Sequence, residues 1–317
     1  MSKPKVLVTG IVSESGLTEL KRKFEVTYSK TEFNRSYILK NLFQFDALLL
    51  MGQKADRELL DAGTHLKIIS LNGVGYDHVD INYAREKGIV VSNSPEGVRI
   101  PTAEMTMALI LGTAKRLHLY DKVVRSGDWL DVSKSEFQGI TLNGRVLGIF
   151  GMGRIGKTVA KLANAFGMNI IYNDAYRLSN EAEASINAKF VEFDELLNQS
   201  DVISIHAPLL DSTKGIFNLK AFKKMKSTSF IINAARGPII HEANLITALT
   251  NNEIAGAGLD VFEFEPEVSE TLRKLDNALF APHAGTGTVA ARHEIAQEAA
   301  NNIISFFDGE PINVVNP

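Results

Sequence analysis

The most informative absence from this 317-residue sequence is cysteine, of which there is none. Disulfide bonds, thiolate metal sites and cysteine nucleophiles are therefore excluded. Long apolar runs are also missing, since no stretch approaches the ~18 residues that a membrane-spanning helix needs. The N-terminal residues 1–4 lead directly into an apolar segment, without the hydrophobic region of a signal peptide. We therefore expect a cytoplasmic protein.

The sequence has little excess charge and no marked bias in composition. Its 34 basic and 37 acidic residues give a formal net charge of −3, which argues against a general binder of nucleic acid or of anionic membranes. Hydrophobic residues make up 45% and charged residues 22% of the chain, as in soluble globular proteins. The length is sufficient for two domains of ordinary size.

Residues 1–95 alternate short apolar runs with segments of helical pattern, which is typical of βαβ units in a parallel sheet. We predict strands at residues 5–9, 25–28, 47–51, 67–70 and 89–92. Helices are predicted between them, at residues 15–23, 36–42, 57–62 and 80–87.

The remainder of the chain contains a second series of the same kind. A long helix is predicted for residues 102–125, where apolar side chains recur at helical spacing. Strands are then predicted at residues 147–150, 169–173, 202–206, 230–233, 256–260 and 278–280, and a last helix at 289–307. We expect this helix to return to the first unit, with chain crossings near residues 95–101 and 284–290.

The best-defined motif is a G-x-G-x-x-G turn at residues 151–156, between an apolar run and a helix predicted for 157–166. In that setting it is the fingerprint of a dinucleotide site: Gly151 permits the tight turn, Gly153 lets the backbone approach the pyrophosphate, and Gly156 lets helix and strand pack closely. Asp174 follows Gly156 by 18 residues, where a carboxylate accepts hydrogen bonds from ribose hydroxyls and repels a 2′-phosphate. We expect NAD rather than NADP, with Arg177 either an exposed loop residue or a cation for a phosphate.

Three ionisable residues, Arg236, Glu265 and His283, each follow a predicted strand of the second series. Ligands of an open parallel sheet bind beyond the carboxyl ends of its strands. An arginine binds a carboxylate in a bidentate manner, a histidine exchanges a proton with a carbonyl oxygen, and a neighbouring carboxylate favours the imidazolium. The set suits reduction of a 2-oxo acid by NADH.

Taken singly, each residue has a structural alternative: Arg236 as an ion-pair partner, Glu265 as part of an acidic surface run, and His283 as a turn cap. We identify no metal site.

These motifs, in this order, resemble those of the D-isomer-specific 2-hydroxyacid dehydrogenases. The resemblance covers essentially the whole chain: residues 73–80 match the family's substrate loop, 103–104 the start of its interdomain helix, and 301–317 its tail. It implies two doubly wound parallel-sheet α/β domains. A Rossmann NAD-binding domain, residues 99–286, would be inserted into a flavodoxin-like substrate domain, residues 1–98 and 287–317. It also implies a homodimer formed through the NAD-binding domain.

The resemblance also implies the roles of single residues. Arg236 would bind the substrate carboxylate, Glu265 would support the histidine, and His283 would be the acid/base catalyst. The backbone of Val74 and Gly75 would bind the same substrate carboxylate. The cofactor site would be lined, besides the three glycines and Asp174, by Arg154, Ile155, His206, Pro208, Thr213, Ala234, Ala235, Asp260, Gly285 and Thr102.

Within the family, residues 47–54 and 75–80 are most similar to the glyoxylate/hydroxypyruvate reductase branch. The alternative is a phosphoglycerate dehydrogenase without a regulatory domain, whose members place an arginine near Met51. Only Lys54 is available there for a substrate phosphate. A third alternative, an NADH-sensing binding protein similar to the corepressors of this fold, is disfavoured by the intact set of Arg236, Glu265 and His283.

Overall fold

Two parallel β-sheets organise the chain in the computed structural model, which describes residues 3–317. One unit comprises the chain up to Pro101 together with Thr286–Pro317, and the other is Thr102–Gly285. The sequence suggested divisions at 98/99 and 286/287. In the structure the divisions fall at 101/102 and 285/286, the first of them inside a helix that begins at Arg99.

The first unit has a five-stranded sheet of order β2-β1-β3-β4-β5, in which all neighbours are parallel. This is the flavodoxin-like order. Its strands are β1 (Lys5–Val8), β2 (Glu25–Thr27), β3 (Ala47–Leu50), β4 (Ile68–Leu71) and β5 (Val90–Ser92). The helices between them are α1 (Thr18–Lys23), α2 (Arg35–Asn41), α3 (Arg57–Ala62) and α4 (Ile81–Glu86).

The second unit has a seven-stranded parallel sheet. Its strands are β6 (Val146–Phe150), β7 (Asn169–Asn173), β8 (Ala188–Phe190), β9 (Val202–Ile205), β10 (Phe230–Asn233), β11 (Gly256–Leu259) and β12 (Ala278–Phe280). The order β12-β11-β10-β9-β6-β7-β8 is the Rossmann order with one further strand at an edge. The sequence did not predict β8, because this three-residue edge strand has an exposed lysine at its centre and no apolar run.

The helices of the second series flank this sheet. They are α5 (Arg99–Ala114), α6 (Leu117–Arg125), α7 (Arg154–Ala165), α8 (Asn180–Ser185), α9 (Phe193–Gln199), α10 (Leu219–Lys224), α11 (Glu242–Thr250) and α12 (Glu270–Arg273). Short 3-10 helices lie at Glu14–Leu17, Leu42–Gln44, Ser135–Phe137 and Gly237–Ile239. Strands such as β9 and β10 are buried along their whole length, which explains why all their residues except Ser204 and Asn233 are apolar.

The single helix predicted for residues 102–125 is wrong, since the structure contains two helices there, α5 and α6. The break falls at Arg116, whose φ of 55° is left-handed. The carbonyl of Ala114 accepts the backbone N–H of Ile140 at 2.8 Å. A segment distant in sequence thus takes the acceptor that a continuing helix would use.

The last helix, α13 (Val289–Phe307), has the predicted bounds and belongs to the first unit. Its small side chains Ala296, Ala299 and Ala300 join the core of that unit. A Cβ added at Gly16 would lie 2.7 Å from the Cβ of Ala296, so helix and loop pack closely. Within residues 3–317, no helix is both long and apolar enough to cross a membrane.

Candidate active site

The glycine turn lies at the end of β6, where the strand order of the second sheet reverses between β6 and β9. Gly151 has a φ of 98°, and a Cβ there would collide with the backbone after β9. A Cβ at Gly156 would collide with the carbonyl of Gly151, whereas one at Gly153 would meet no described atom within 4 Å. The space beside Gly153 therefore fits a close pyrophosphate.

Helix α7 begins at Arg154, three residues earlier than the predicted 157, with Gly153 as its N-cap. Arg154 is exposed and Ile155 is half-buried. Because Gly153 is the N-cap of α7, the backbone N–H groups at the start of the helix adjoin the open space beside Gly153. This is the favourable end of a helix for an anion.

Asp174 directly follows β7 and is joined to the glycine turn by its carboxylate. Oδ2 accepts the backbone N–H of Met152 at 2.6 Å, and Oδ1 accepts the N–H of Tyr176 at 2.9 Å. The carboxylate is thus fixed beside the turn, as a ribose-binding acid must be.

The loop after β9 contains three further residues of the predicted cofactor set. The Nε2 of His206 is 2.8 Å from the Oγ of Ser204, and burial lowers the pKa of His206 to about 3. This imidazole is therefore neutral at physiological pH. The hydroxyl of Thr213 donates to the carbonyl of Pro208 at 2.7 Å, which closes the loop on itself.

The turn after β10 carries Ala234, Ala235 and Arg236. It is organised by the fully buried Asn233, whose Oδ1 accepts the N–H of Ala235 at 3.0 Å and whose Nδ2 donates to the carbonyl of Arg236 at 2.9 Å. The guanidinium Nη1 of Arg236 donates to the carbonyl of Ala235 at 2.8 Å. The side chain of Arg236 is thus supported by its own turn.

Asp260 is a buried acid that anchors the loop after β12. Its two carboxylate oxygens accept the N–H groups of Ala284 at 2.7 Å and Gly285 at 2.8 Å. Burial raises the pKa of Asp260 above its ordinary value, although the two N–H groups oppose this rise. A Cβ at Gly285 would lie 3.6 Å from the hydroxyl of Thr102, so Thr102 adjoins this loop. Its part in the cofactor site stays a prediction.

Glu265 and His283 form a hydrogen-bonded pair. Nδ1 of His283 lies 2.8 Å from Oε2 of Glu265, and the other oxygen of Glu265 accepts the N–H of Phe262 at 2.8 Å. The backbone of His283 has a φ of 54° and donates to the carbonyl of Asp260 at 2.7 Å. This pairing orients the imidazole with Nδ1 towards the acid, which leaves Nε2 for a ligand.

The charges of the three residues act on one another. The hydrogen bond to Glu265 raises the pKa of His283, although burial and the positive charge of Arg236 lower it. Burial raises the pKa of Glu265, but the hydrogen bond from His283 and the charges of His283 and Arg236 outweigh it, and the pKa is lowered. The structure therefore brings together an ionised acid, a histidine that holds its proton readily and an arginine. Such a group can bind a carboxylate and deliver a proton to a nearby oxygen.

Val74 and Gly75 belong to the other unit, in the loop after β4. The Nδ2 of Asn93 donates to the carbonyl of Val74 at 2.8 Å, and the N–H of Ser94 donates to that of Gly73 at 2.9 Å. The loop is thus fixed through its carbonyls by the segment after β5. Its part in binding a substrate carboxylate stays a prediction.

The sequence did not identify two residues that shape this site. Asn233 organises the turn of Arg236, and Ser204 is the partner of His206. The only signal in the sequence was a polar residue inside or at the end of an otherwise apolar strand, where a buried side chain must find a hydrogen-bond partner.

Comparison with protein families gives a match for residues 107–285 to the D-isomer specific 2-hydroxyacid dehydrogenase, NAD binding domain. The matched segment includes the glycine turn, Asp174 and all three of Arg236, Glu265 and His283.

Relatives match over the full length. A glyoxylate reductase of Thermococcus onnurineus is 41% identical over 99% of this chain and 96% of its own. The crystal structure of a glyoxylate reductase from Paecilomyes thermophila is 36% identical, covers 99% of both chains and superposes with a TM-score of 0.90. An NADPH-dependent glyoxylate/hydroxypyruvate reductase from Sinorhizobium meliloti, solved with NADP and malonate, is 30% identical, with a TM-score of 0.89 over 99% of this chain and 97% of its own.

Proposed function

Because this chain belongs to the D-isomer-specific 2-hydroxyacid dehydrogenase family, we propose that it interconverts a small 2-oxo acid and the corresponding 2-hydroxy acid with NADH. The observation that carries the proposal is the 2.8 Å pair of His283 and Glu265, with the charge of Arg236 close enough to affect both pKa values. The relatives named as glyoxylate reductases support glyoxylate or hydroxypyruvate as the kind of acid.

In the proposed reaction, the glycine turn and Asp174 would hold NADH, which would supply a hydride to C2 of the 2-oxo acid. Arg236 binds the substrate carboxylate through its guanidinium and holds the carbonyl in a polarising field. His283 donates the proton from Nε2 to the carbonyl oxygen, and Glu265 stabilises the imidazolium before that transfer. The reverse oxidation uses His283 as the base.

For the cofactor we propose NAD rather than NADP. The carboxylate of Asp174, fixed at the glycine turn, would repel a 2′-phosphate. The nearby cation, Arg177, forms an ion pair with Glu183 through Nε at 3.0 Å and Nη2 at 3.3 Å. Glu183 also accepts the hydroxyl of Tyr172 at 2.8 Å, so Arg177 is held by an anchored acid.

The substrate proposal is tested by following NADH oxidation with glyoxylate, hydroxypyruvate, pyruvate and 3-phosphohydroxypyruvate. We expect the first two to give the highest kcat/KM. A preference for the phosphorylated acid would replace the proposal with a phosphoglycerate dehydrogenase. If no acid in the panel oxidised NADH although NADH bound, the reductase proposal would fail and a binding role would take its place.

The cofactor proposal is tested with NADH and NADPH in parallel. Wild-type protein is expected to prefer NADH, and Asp174→Ala to raise the ratio of kcat/KM for NADPH to that for NADH by about tenfold or more. Glu270→Ala is the matched control, since this exposed acid is the first residue of α12 and belongs to none of the loops of the predicted cofactor set. A wild-type preference for NADPH would contradict the repulsion argument.

We also propose that two copies associate through the second unit. Among the described residues, none of 115–141 is buried, yet this segment presents large apolar side chains. Leu117 is 62% exposed, Val124 58%, Trp129 87% and Val132 57%. Exposed apolar groups of this size mark association surfaces. Light scattering should give a dimer for wild type and a monomer for the double variant Val124→Glu/Trp129→Glu. A monomeric wild type would overturn this proposal.

A further inference from the structure

Arg236 and Glu265 lie on two different loops, and these loops pack against each other without a gap. Arg236 precedes the 3-10 turn Gly237–Ile239, and Glu265 lies between β11 and α12. A Cβ added at Gly237 would fall on the carbonyl group of Phe262. The two backbones are therefore in direct contact beside the residues that the proposed reaction uses.

Glu242 is a buried acid that joins the same two loops. It is the first residue of α11 and is 5% exposed. Its backbone N–H donates to Oε2 of Glu263 at 2.7 Å, and its own Oε2 accepts the backbone N–H of Glu263 at 3.4 Å. We call these reciprocal bonds the Glu242–Glu263 clasp. The backbone N–H of Ser269 also acts on the carboxyl of Glu242 and lowers its pKa.

The burial of Glu242 has an energetic cost that the fold alone does not require. The pKa of its carboxyl is raised, mainly by burial and in addition by the negative charge of Glu263. The backbone N–H groups of Glu263 and Ser269 oppose this rise. A buried apolar residue would avoid both the desolvation and the repulsion between two acids. What the acid supplies is a polar link from the start of α11 to the backbone N–H of Glu263, at the beginning of segment 263–269.

Glu265 lies inside that segment. One of its oxygens is held by the N–H of Phe262 and the other meets Nδ1 of His283, each at 2.8 Å. Within the segment, the N–H of Glu267 donates to the carbonyl of Phe264 at 2.9 Å and closes a turn around Glu265. No helix or longer strand precedes α12, so the position of this turn as a whole depends on anchors outside it. A shift of its backbone by about an ångström would lengthen the bond between Glu265 and His283 beyond hydrogen-bonding distance.

We propose that Glu242 is a positioning residue for catalysis, and that the Glu242–Glu263 clasp holds segment 263–269 so that Glu265 stays bonded to His283. This inference rests on the proposed function and deepens it, because Glu242 acts through Glu265 and does not touch the reacting atoms. The charged groups that act on His283 are Glu265, Arg236 and Asp260. Of these, Glu265 is the one that the clasp places.

The kinetic test compares three variants. Glu242→Ala removes the acceptor, Glu242→Gln keeps an acceptor oxygen, and Glu267→Ala removes an exposed acid from the same segment as a control. For Glu242→Ala we expect kcat to fall about tenfold to a hundredfold, with KM for NADH within about twofold of wild type. Reductase activity should also be lost at a lower pH, because a histidine that loses its carboxylate partner gives up its proton more readily. Glu242→Gln should retain most of the activity, and the control should match wild type.

A second measurement does not depend on turnover. The protonation of His283 is followed by NMR in protein without substrate, its signal being assigned among the seven histidines by its loss in His283→Asn. The pKa of His283 should be lower in Glu242→Ala than in wild type and unchanged in the control. An unchanged pKa in folded Glu242→Ala overturns the inference. If that variant does not fold, Glu263→Ala decides in the same way.

The two proposals fail separately. A wild-type protein that reduces no 2-oxo acid contradicts the proposed function, while the NMR titration still reports on the clasp. Equal losses of NADH binding and turnover in both Glu242 variants would indicate a general structural role and would also overturn the inference.

Discussion

His206 and His283 follow strands of the same sheet, yet their surroundings give them opposite proton affinities. Each has a ring nitrogen 2.8 Å from an oxygen, the hydroxyl of Ser204 in one case and the carboxylate of Glu265 in the other. Burial lowers the pKa of His206 to about 3, whereas the bond to Glu265 raises that of His283. Burial without a charged partner in one case, and a carboxylate partner in the other, therefore decide which histidine holds its proton, and position after a strand does not.

The largest expected effect separates the two histidines by function. His283→Asn removes the proposed proton donor, so we expect the turnover rate of the proposed reductase reaction to fall about 10²- to 10⁴-fold, with NADH affinity unchanged. His206→Asn removes only a neutral ring and should cost less than about tenfold. Steady-state kinetics and NADH fluorescence titration measure both. A greater loss in His206→Asn would reverse the assignment.

A smaller effect is expected when the partner of His283 loses its charge. In Glu265→Gln the pKa of His283 falls, since the carboxylate that raises it is gone. The proposed reduction needs protonated His283, so activity should decline at a lower pH than in wild type and be reduced about tenfold or more near neutrality. The pH dependence of kcat/KM checks this, with Glu267→Gln as the control. A profile unchanged in position would contradict the role of Glu265.

The two histidines should also affect stability with opposite signs of pH dependence. The pKa of His206 is lowered from 6.5 to about 3, so the unfolded chain takes up a proton that the folded chain refuses, and stability falls as pH drops below 6.5. The pKa of His283 is raised, so its contribution is complete below the unfolded value and is lost as pH rises through the folded one.

Urea unfolding at about pH 5 and about pH 8, on either side of the ordinary histidine pKa, measures this difference. The quantity compared is the free energy of unfolding of each variant minus that of wild type. For His206→Gln this difference should be more positive at the lower pH than at the higher. For His283→Gln it should be more negative at the lower pH than at the higher. If these differences varied with pH in the same direction for both variants, that result would contradict the opposite pKa shifts of His206 and His283.

The smallest effect concerns the neutral partner. Ser204→Ala removes the hydroxyl from a fully buried position, and we expect the free energy of unfolding to fall by about 1 kcal/mol. Reductase kinetics near neutral pH should remain within about twofold, because His206 stays neutral with or without this bond. Denaturant unfolding and the standard assay test the two statements.

The sequence predicted those features that depend on neighbouring residues. The glycine turn, the acid at Asp174 and the placement of Arg236, Glu265 and His283 after strands all follow from local pattern and from the rule that ligands bind beyond strand ends. The strands themselves were recognisable because both faces of a parallel sheet are apolar.

Features that depend on residues distant in sequence could not be predicted. The break at Arg116 exists because Ile140 takes the carbonyl of Ala114. Glu242 was one acid among 37 acidic residues, and only its contact with Glu263 distinguishes it. The opposite states of His206 and His283 likewise depend on partners that no spacing in the sequence reveals.

The return of α13 to the first unit has a consequence for how the chain folds during synthesis. The second unit is a continuous segment, Thr102–Gly285, and its two ends adjoin each other at Thr102 and Gly285. It can therefore fold as soon as it has left the ribosome. The first unit lacks part of its core until Ala296, Ala299 and Ile303 have emerged. Although it begins the chain, it is expected to be the last part to become stable.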